Sequence, residues 1–90
     1  MKKMMMFYLP SCPYCRRADQ MTEELLRQEP KYRAIELERI DESRETALAE
    51  QYDYYYVPAY FVGKQRLFSG APEREDIERV YREALELTRE

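Results

Sequence analysis

Two prolines, Pro10 and Pro13, split the first third of the chain into stretches with different hydrophobic periods. Met4 to Leu9 is a short, unbroken apolar run stopped by Pro10, and it reads as a buried strand. From Pro13 onward the period lengthens. Cys15, Ala18, Met21 or Thr22, and Leu25 then share one face of a helix that Pro30 closes. Pro13 suits the first turn of that helix, because its missing N–H would have had no partner there.

The rest of the chain continues this alternation. Tyr32 to Ile40 reads as a strand, since Ile35 and Leu37 alternate with charged residues as on a sheet edge. Asp41 is placed as the N-cap of a second helix running to about Tyr52, with Ala47, Leu48 and Tyr52 facing inward. Tyr56 to Val62 is aromatic and β-branched, hence a strand. It turns at Gly63-Lys64 into a second hairpin arm from Gln65 to Ser69. Pro72 is assigned to the first turn of a last helix, whose inner stripe is Ile77, Val80, Tyr81 and Ala84. Its outer face carries pairs such as Glu75–Arg79 and Glu78–Arg82. The expected order is β-α-β-α-β-β-α, a single α/β domain over residues 1–90, with no repeat and no linker.

Composition narrows the function. A net charge of −3, with acidic and basic residues interleaved, gives no general pull toward nucleic acid or an anionic membrane. Nine tyrosines and three phenylalanines exceed what a disordered chain carries. Lys2-Lys3 followed by an apolar stretch is reminiscent of a secretory signal. That stretch has only six residues, against about seven to fifteen in such signals, and no small-residue cleavage site comes after it. No segment approaches a membrane span, and a cytoplasmic location is expected, where thiols are kept reduced.

The chain has no histidine and only two cysteines, Cys12 and Cys15, at the junction of the first strand and first helix. There, Cys12 sits beside the free N–H groups at the helix start, which favour a thiolate. Arg16, with Arg17 next to it, adds positive charge and is assigned a thiolate-stabilising role. Cys15 lies one turn inside, on the core-facing side. That asymmetry assigns Cys12 the attack on a substrate disulfide and Cys15 the attack that resolves the mixed disulfide. One alternative is that both cysteines merely fill the core. Another is a metal or iron–sulfur site, which would need carboxylates or a second chain, since structural zinc takes four ligands. No metal is assigned.

Val57-Pro58 opens the third strand, where a proline costs the ladder nothing. Local sequence leaves this bond cis or trans. In the cis form, the Val57 backbone could pair with an extended substrate. Tyr52, Tyr54, Tyr55 and Tyr56 cluster just before it and read as packing residues with wet hydroxyls, one of them a possible substrate contact.

On these residues the sequence resembles the glutaredoxins, within the thioredoxin-fold superfamily. The resemblance rests on Cys12-Pro13-Tyr14-Cys15 after the first strand, Val57-Pro58 before the third, Gly63 in the hairpin and Gly70 before the last helix. It implies a four-stranded mixed sheet flanked by three helices, and a monomer. It also implies Cys12 as nucleophile, Cys15 as resolving thiol, a cis Pro58 facing them, and Tyr14, Val57 and Pro58 in contact with substrate. The implied partners are protein disulfides, with no permanently bound cofactor and glutathione as reductant. The sequence departs from the family's glutathione contacts. The usual cation three residues before the first cysteine is Leu9, and the usual threonine before Val-Pro is Tyr56. The Gly-Gly and polar pair that hold the γ-glutamyl end are replaced by Ser69-Gly70-Ala71-Pro72, with Asp76 too late to align. The alternative reductant is a flavoprotein reductase of the thioredoxin type.

Overall fold

The first strand is built to be covered on both faces. In the computed structural model, which describes residues 2–89, β1 spans Lys2–Tyr8. Met4 and Met6 point into one hydrophobic cluster and Phe7 into another, all three fully buried. A strand buried on both sides needs a continuous apolar run rather than strict alternation, which is what the four residues Met4 to Phe7 supply. Its edges are paired as well. β1 lies parallel to β2 (Ile35–Asp41) over residues 2–8 and antiparallel to β3 (Ala59–Val62) through Met5, Met6 and Phe7. β4 (Gln65–Ser69) completes a mixed four-stranded sheet of order β2-β1-β3-β4.

Helices α1 (Pro13–Gln28) and α3 (Arg74–Leu87) pack their apolar stripes on the Met4/Met6 face. The buried residues of α1 are Cys15, Ala18, Met21, Thr22 and Leu25. The Thr22 hydroxyl is satisfied by donating to the Ala18 carbonyl at 2.8 Å. Ile77, Val80, Tyr81 and Ala84 form the inner stripe of α3. On the opposite face, Phe7 lies 5.0 Å from the rings of both Tyr52 and Tyr54, and Phe61 closes the cluster edge-on to Phe7. The element order and sheet are thus as expected. Among the described residues no helix is long and apolar enough to cross a membrane.

Several boundaries move, each for a physical reason. β1 starts at Lys2 and ends at Tyr8, not at Leu9, because its pairing with β2 runs over the whole of residues 2–8. The segment from Pro30 to Ala34 is a 3₁₀ turn rather than strand; it buries Tyr32 against Tyr81 with ring centroids 5.9 Å apart. Asp41 does not cap a helix. It ends β2, and its carboxylate accepts both the Ser43 N–H at 3.0 Å and the Ser43 hydroxyl at 2.6 Å. The second helix shrinks to α2, Thr46–Ala49, with no fully buried residue; of the three residues expected to face inward, Ala47 is exposed, and Leu48 and Tyr52 are half-buried.

The third strand begins at Ala59, since Tyr55 to Pro58 bends away from the ladder. Pro72 lies before α3, whose N-cap is Glu73; there Asp76 accepts the Glu73 N–H at 2.8 Å. Arg79 pairs with Asp76 at 3.5 Å in place of Glu75. Glu78–Arg82 is likewise not an ion pair among the described residues. The hairpin turn requires φ of +58° at Gly63, a conformation that a side chain disfavours.

The Phe7 cluster is therefore the anchor of the Tyr52–Tyr54 segment. Phe7→Ala should lower the free energy of urea unfolding by about 3–5 kcal/mol. A loss well under 1 kcal/mol would mean that the aromatic cluster does not hold that face together.

Candidate active site

The turn from β1 into α1 is tied off by its own backbone. The Cys12 N–H donates to the Leu9 carbonyl at 3.1 Å, and the Cys12 carbonyl accepts from Cys15 N–H at 3.1 Å and Arg16 N–H at 3.3 Å. Cys12 is the N-cap of α1, in extended conformation (φ −82°, ψ 117°), with Pro13 in the first turn. Its thiol makes no capping hydrogen bond to the first N–H groups of the helix. Cys12 is half-buried and Cys15 is 2% exposed, and both are free thiols.

A second segment, distant in sequence, meets the cysteines from across the turn. The Val57–Pro58 bond is cis, and the Cys12 thiol donates to the Val57 carbonyl across 3.9 Å. Pro58 is buried, and its carbonyl accepts the Gly70 N–H at 3.2 Å. The Ser69 hydroxyl donates to the Tyr56 carbonyl at 2.6 Å. The loop ahead of Pro58 is braced by Tyr54, whose hydroxyl donates to Glu42 at 2.6 Å. Burial first, and then this carboxylate, push the Tyr54 phenol up.

Cys15 is set apart by its surroundings. Burial pushes its thiol up from 9.0 to about 12, opposed by a Leu9 backbone hydrogen bond and reinforced by the neighbouring Cys12 thiol. Cys15 thus stays protonated near neutral pH. The cations do not converge on the sulfurs. Arg16 donates to the Pro10 carbonyl at 3.4 Å, and Arg17 forks onto Glu73 at 3.2 and 3.4 Å. Tyr14 is 50% exposed beside the pair, and Tyr55 and Tyr56 are 90% and 72% exposed. Among the described residues no three Cys, Asp or Glu side chains are grouped to hold a metal.

Of the residues singled out from sequence, Cys12, Cys15, Val57 and Pro58 are brought together, with Tyr14 on the rim and Arg16 turned to its own loop. Sequence reasoning missed Glu42 and Ser69, which brace the Val57 loop. Neither carries a local signal, because each acts through a contact at least twelve residues away.

The reduced protein should lose stability in alkali. Above about pH 9 an unfolded Cys15 releases a proton that the folded one keeps until about 12, so unfolding gains over that interval. Burial likewise raises Tyr81 from 10.0 to about 12 and pushes Tyr60 up in the same direction. Melting temperature should fall steadily from about pH 9 to about pH 11, and less steeply in Cys15→Ala. An unchanged slope in that variant would remove Cys15 from the account.

Comparison with known proteins places this geometry. A family model described as a thioredoxin domain matches residues 2–82. No curated protein sequence matches. Among solved structures, the germline-specific thioredoxin Deadhead of Drosophila melanogaster is similar, with a TM-score of 0.68 and 22% identity; the match covers 90% of this chain and 78% of that one. A malarial protein superposes with a TM-score of 0.67 at 17% identity, covering 92% and 96% of the two chains. The first two thioredoxin domains of Saccharomyces cerevisiae Eps1p give 0.57 at 18% identity, covering 96% of this chain and 36% of that one. At these identities the structural likenesses speak to the fold alone, while the sequence model spans most of the chain. The chain belongs to the thioredoxin domain family.

Proposed function

We propose that this protein is a thiol–disulfide oxidoreductase that reduces protein disulfides by cycling Cys12 and Cys15 between dithiol and disulfide. The observation that carries the reading is the asymmetry of the pair. Cys12 is accessible at a helix N-terminus, while Cys15 is buried and protonated one turn behind it. The Cys12 thiolate attacks one sulfur of the client disulfide, and the other client sulfur leaves as a thiolate that takes up a proton. Cys15 then attacks the Cys12 sulfur, and its proton passes to the client thiolate that this attack releases. The Cys12–Cys15 disulfide forms and the second client thiol departs. Two electrons have passed to the client, and a reducing cytoplasm is the setting that would restore them.

The Val57 carbonyl, already a hydrogen-bond acceptor for the Cys12 thiol at 3.9 Å, is positioned to receive a backbone N–H of an extended client. Tyr14 and Tyr56 supply apolar area on either side. The electron donor we favour is a flavoprotein reductase of the thioredoxin type over glutathione. Leu9 stands where a cation would meet a glutathione carboxylate, and Arg16 and Arg17 are occupied by Pro10 and Glu73.

Turnover of a disulfide-bonded protein should fall by roughly a thousandfold or more in Cys12→Ser, as for loss of other catalytic nucleophiles. Cys15→Ser should instead accumulate a client mixed disulfide on Cys12, seen by mass spectrometry. Sustained turnover by Cys12→Ser would contradict the mechanism. A cation restored in Leu9→Lys should raise the glutathione-driven rate about tenfold, the worth of one charge-assisted hydrogen bond. No gain would mean that the missing cation is not what limits glutathione.

A further inference from the structure

The end of the sheet that carries Cys12 also carries a groove with its own chemical character. It is an open depression of about 440 Å³, lined by two carboxylates, Glu42 and Glu50, and three phenol rings, Tyr52, Tyr54 and Tyr55, with no cation among its lining residues. Two cations stand at its rim, each hydrogen-bonded to a backbone carbonyl, and Lys64 already covers one face of Tyr52. Lys64 donates to the Gln51 carbonyl at 2.8 Å and lies 4.1 Å over the Tyr52 ring, and Arg66 donates to the Asp53 carbonyl at 2.7 Å. Glu50 enters no ion pair among the described residues, and Glu42 commits one oxygen to Tyr54. The walls are set by packing, since Tyr52 and Tyr54 both lie against Phe7.

The groove adjoins the two segments that meet at the reacting sulfur. Tyr55 precedes by two residues the Val57 whose carbonyl meets Cys12, and the Glu42 N–H donates to Tyr8 at the strand end that feeds the Cys12 turn. An extended chain advances at most about 3.6 Å per residue, so a client side chain some two to four residues from its reacting cysteine reaches this groove. We propose that the groove takes a lysine or arginine of the client, so that the protein selects disulfides flanked by a basic residue. Glu50 and the free oxygen of Glu42 attract the charge, while the exposed face of Tyr55 receives it. The inference deepens the redox reading of Cys12 and Cys15 and rests on it.

The test uses two disulfide-bonded peptides that differ only in carrying arginine or glutamate three residues to each side of the reacting disulfide. The arginine peptide should show a kcat/KM about tenfold higher, the sum of an exposed ion pair and a cation–π contact, with the preference shrinking at high salt. The ratio should fall to near one in Glu42→Gln/Glu50→Gln. It should invert in Glu50→Lys, a change at an exposed position. A ratio near one in a wild type that reduces both peptides would overturn the groove alone. So would a ratio that survives the double variant, which would trace the preference to the net negative charge of the chain. A wild type that reduces neither peptide nor a small aromatic disulfide would overturn the redox reading and the groove with it.

Discussion

A strand covered on both faces and paired on both edges has nowhere to go, and β1 is such a strand. Met4 and Met6 are locked under α1 and α3, Phe7 under the tyrosine cluster, and the backbone between β2 and β3. Fixing β1 in this way fixes where its C-terminal end delivers the chain. The Cys12 turn emerges from that end, and β3, the neighbour on the other side, delivers Val57 and Pro58 to the same place. The site is the meeting of two chain segments forty-five residues apart, held by one fixed strand.

Chemistry at the site depends on where α1 begins. Starting the helix at Pro13 leaves Cys12 outside it and Cys15 inside it, so one thiol is half-exposed against the Val57 carbonyl while the other faces the core. Desolvation then keeps Cys15 protonated without any histidine, and the arginines beside the pair are engaged with Pro10 and Glu73. The same packing that stabilises the fold thus creates the difference between a half-exposed sulfur and a buried, protonated one. The tyrosine-rich loop extends this economy. Its inner rings hold the sheet face, while Tyr55 and Tyr56 are left in solvent just ahead of Val57.

Much of this is legible in the sequence wherever a short-range pattern coincides with the tertiary outcome. The apolar run, the prolines and the three-to-four spacing after Pro13 locate β1, α1 and both cysteines, because local geometry and burial agree there. The second helix is shorter than its sequence suggests for the opposite reason. The segment after Asp41 has helical propensity but little to bury, and Asp41 satisfies Ser43 instead of a helix start. Val57-Pro58 is locatable as a strand opening, but its approach to Cys12 follows only once β3 is placed beside β1. The bracing of Tyr54 by Glu42 leaves no trace in sequence, since neither residue signals the other until β2 and the loop are placed side by side.

The central claim is that Cys12 and Cys15 form a reversible two-electron couple within one chain. It is tested most directly by titrating the protein across a series of dithiol–disulfide buffers and following the two cysteines by alkylation and mass. The account predicts a single transition between a dithiol and an intramolecular Cys12–Cys15 disulfide, at a potential between about −180 and −300 mV. Cysteines that stay reduced across the whole series, or that bridge two chains instead of each other, would contradict it.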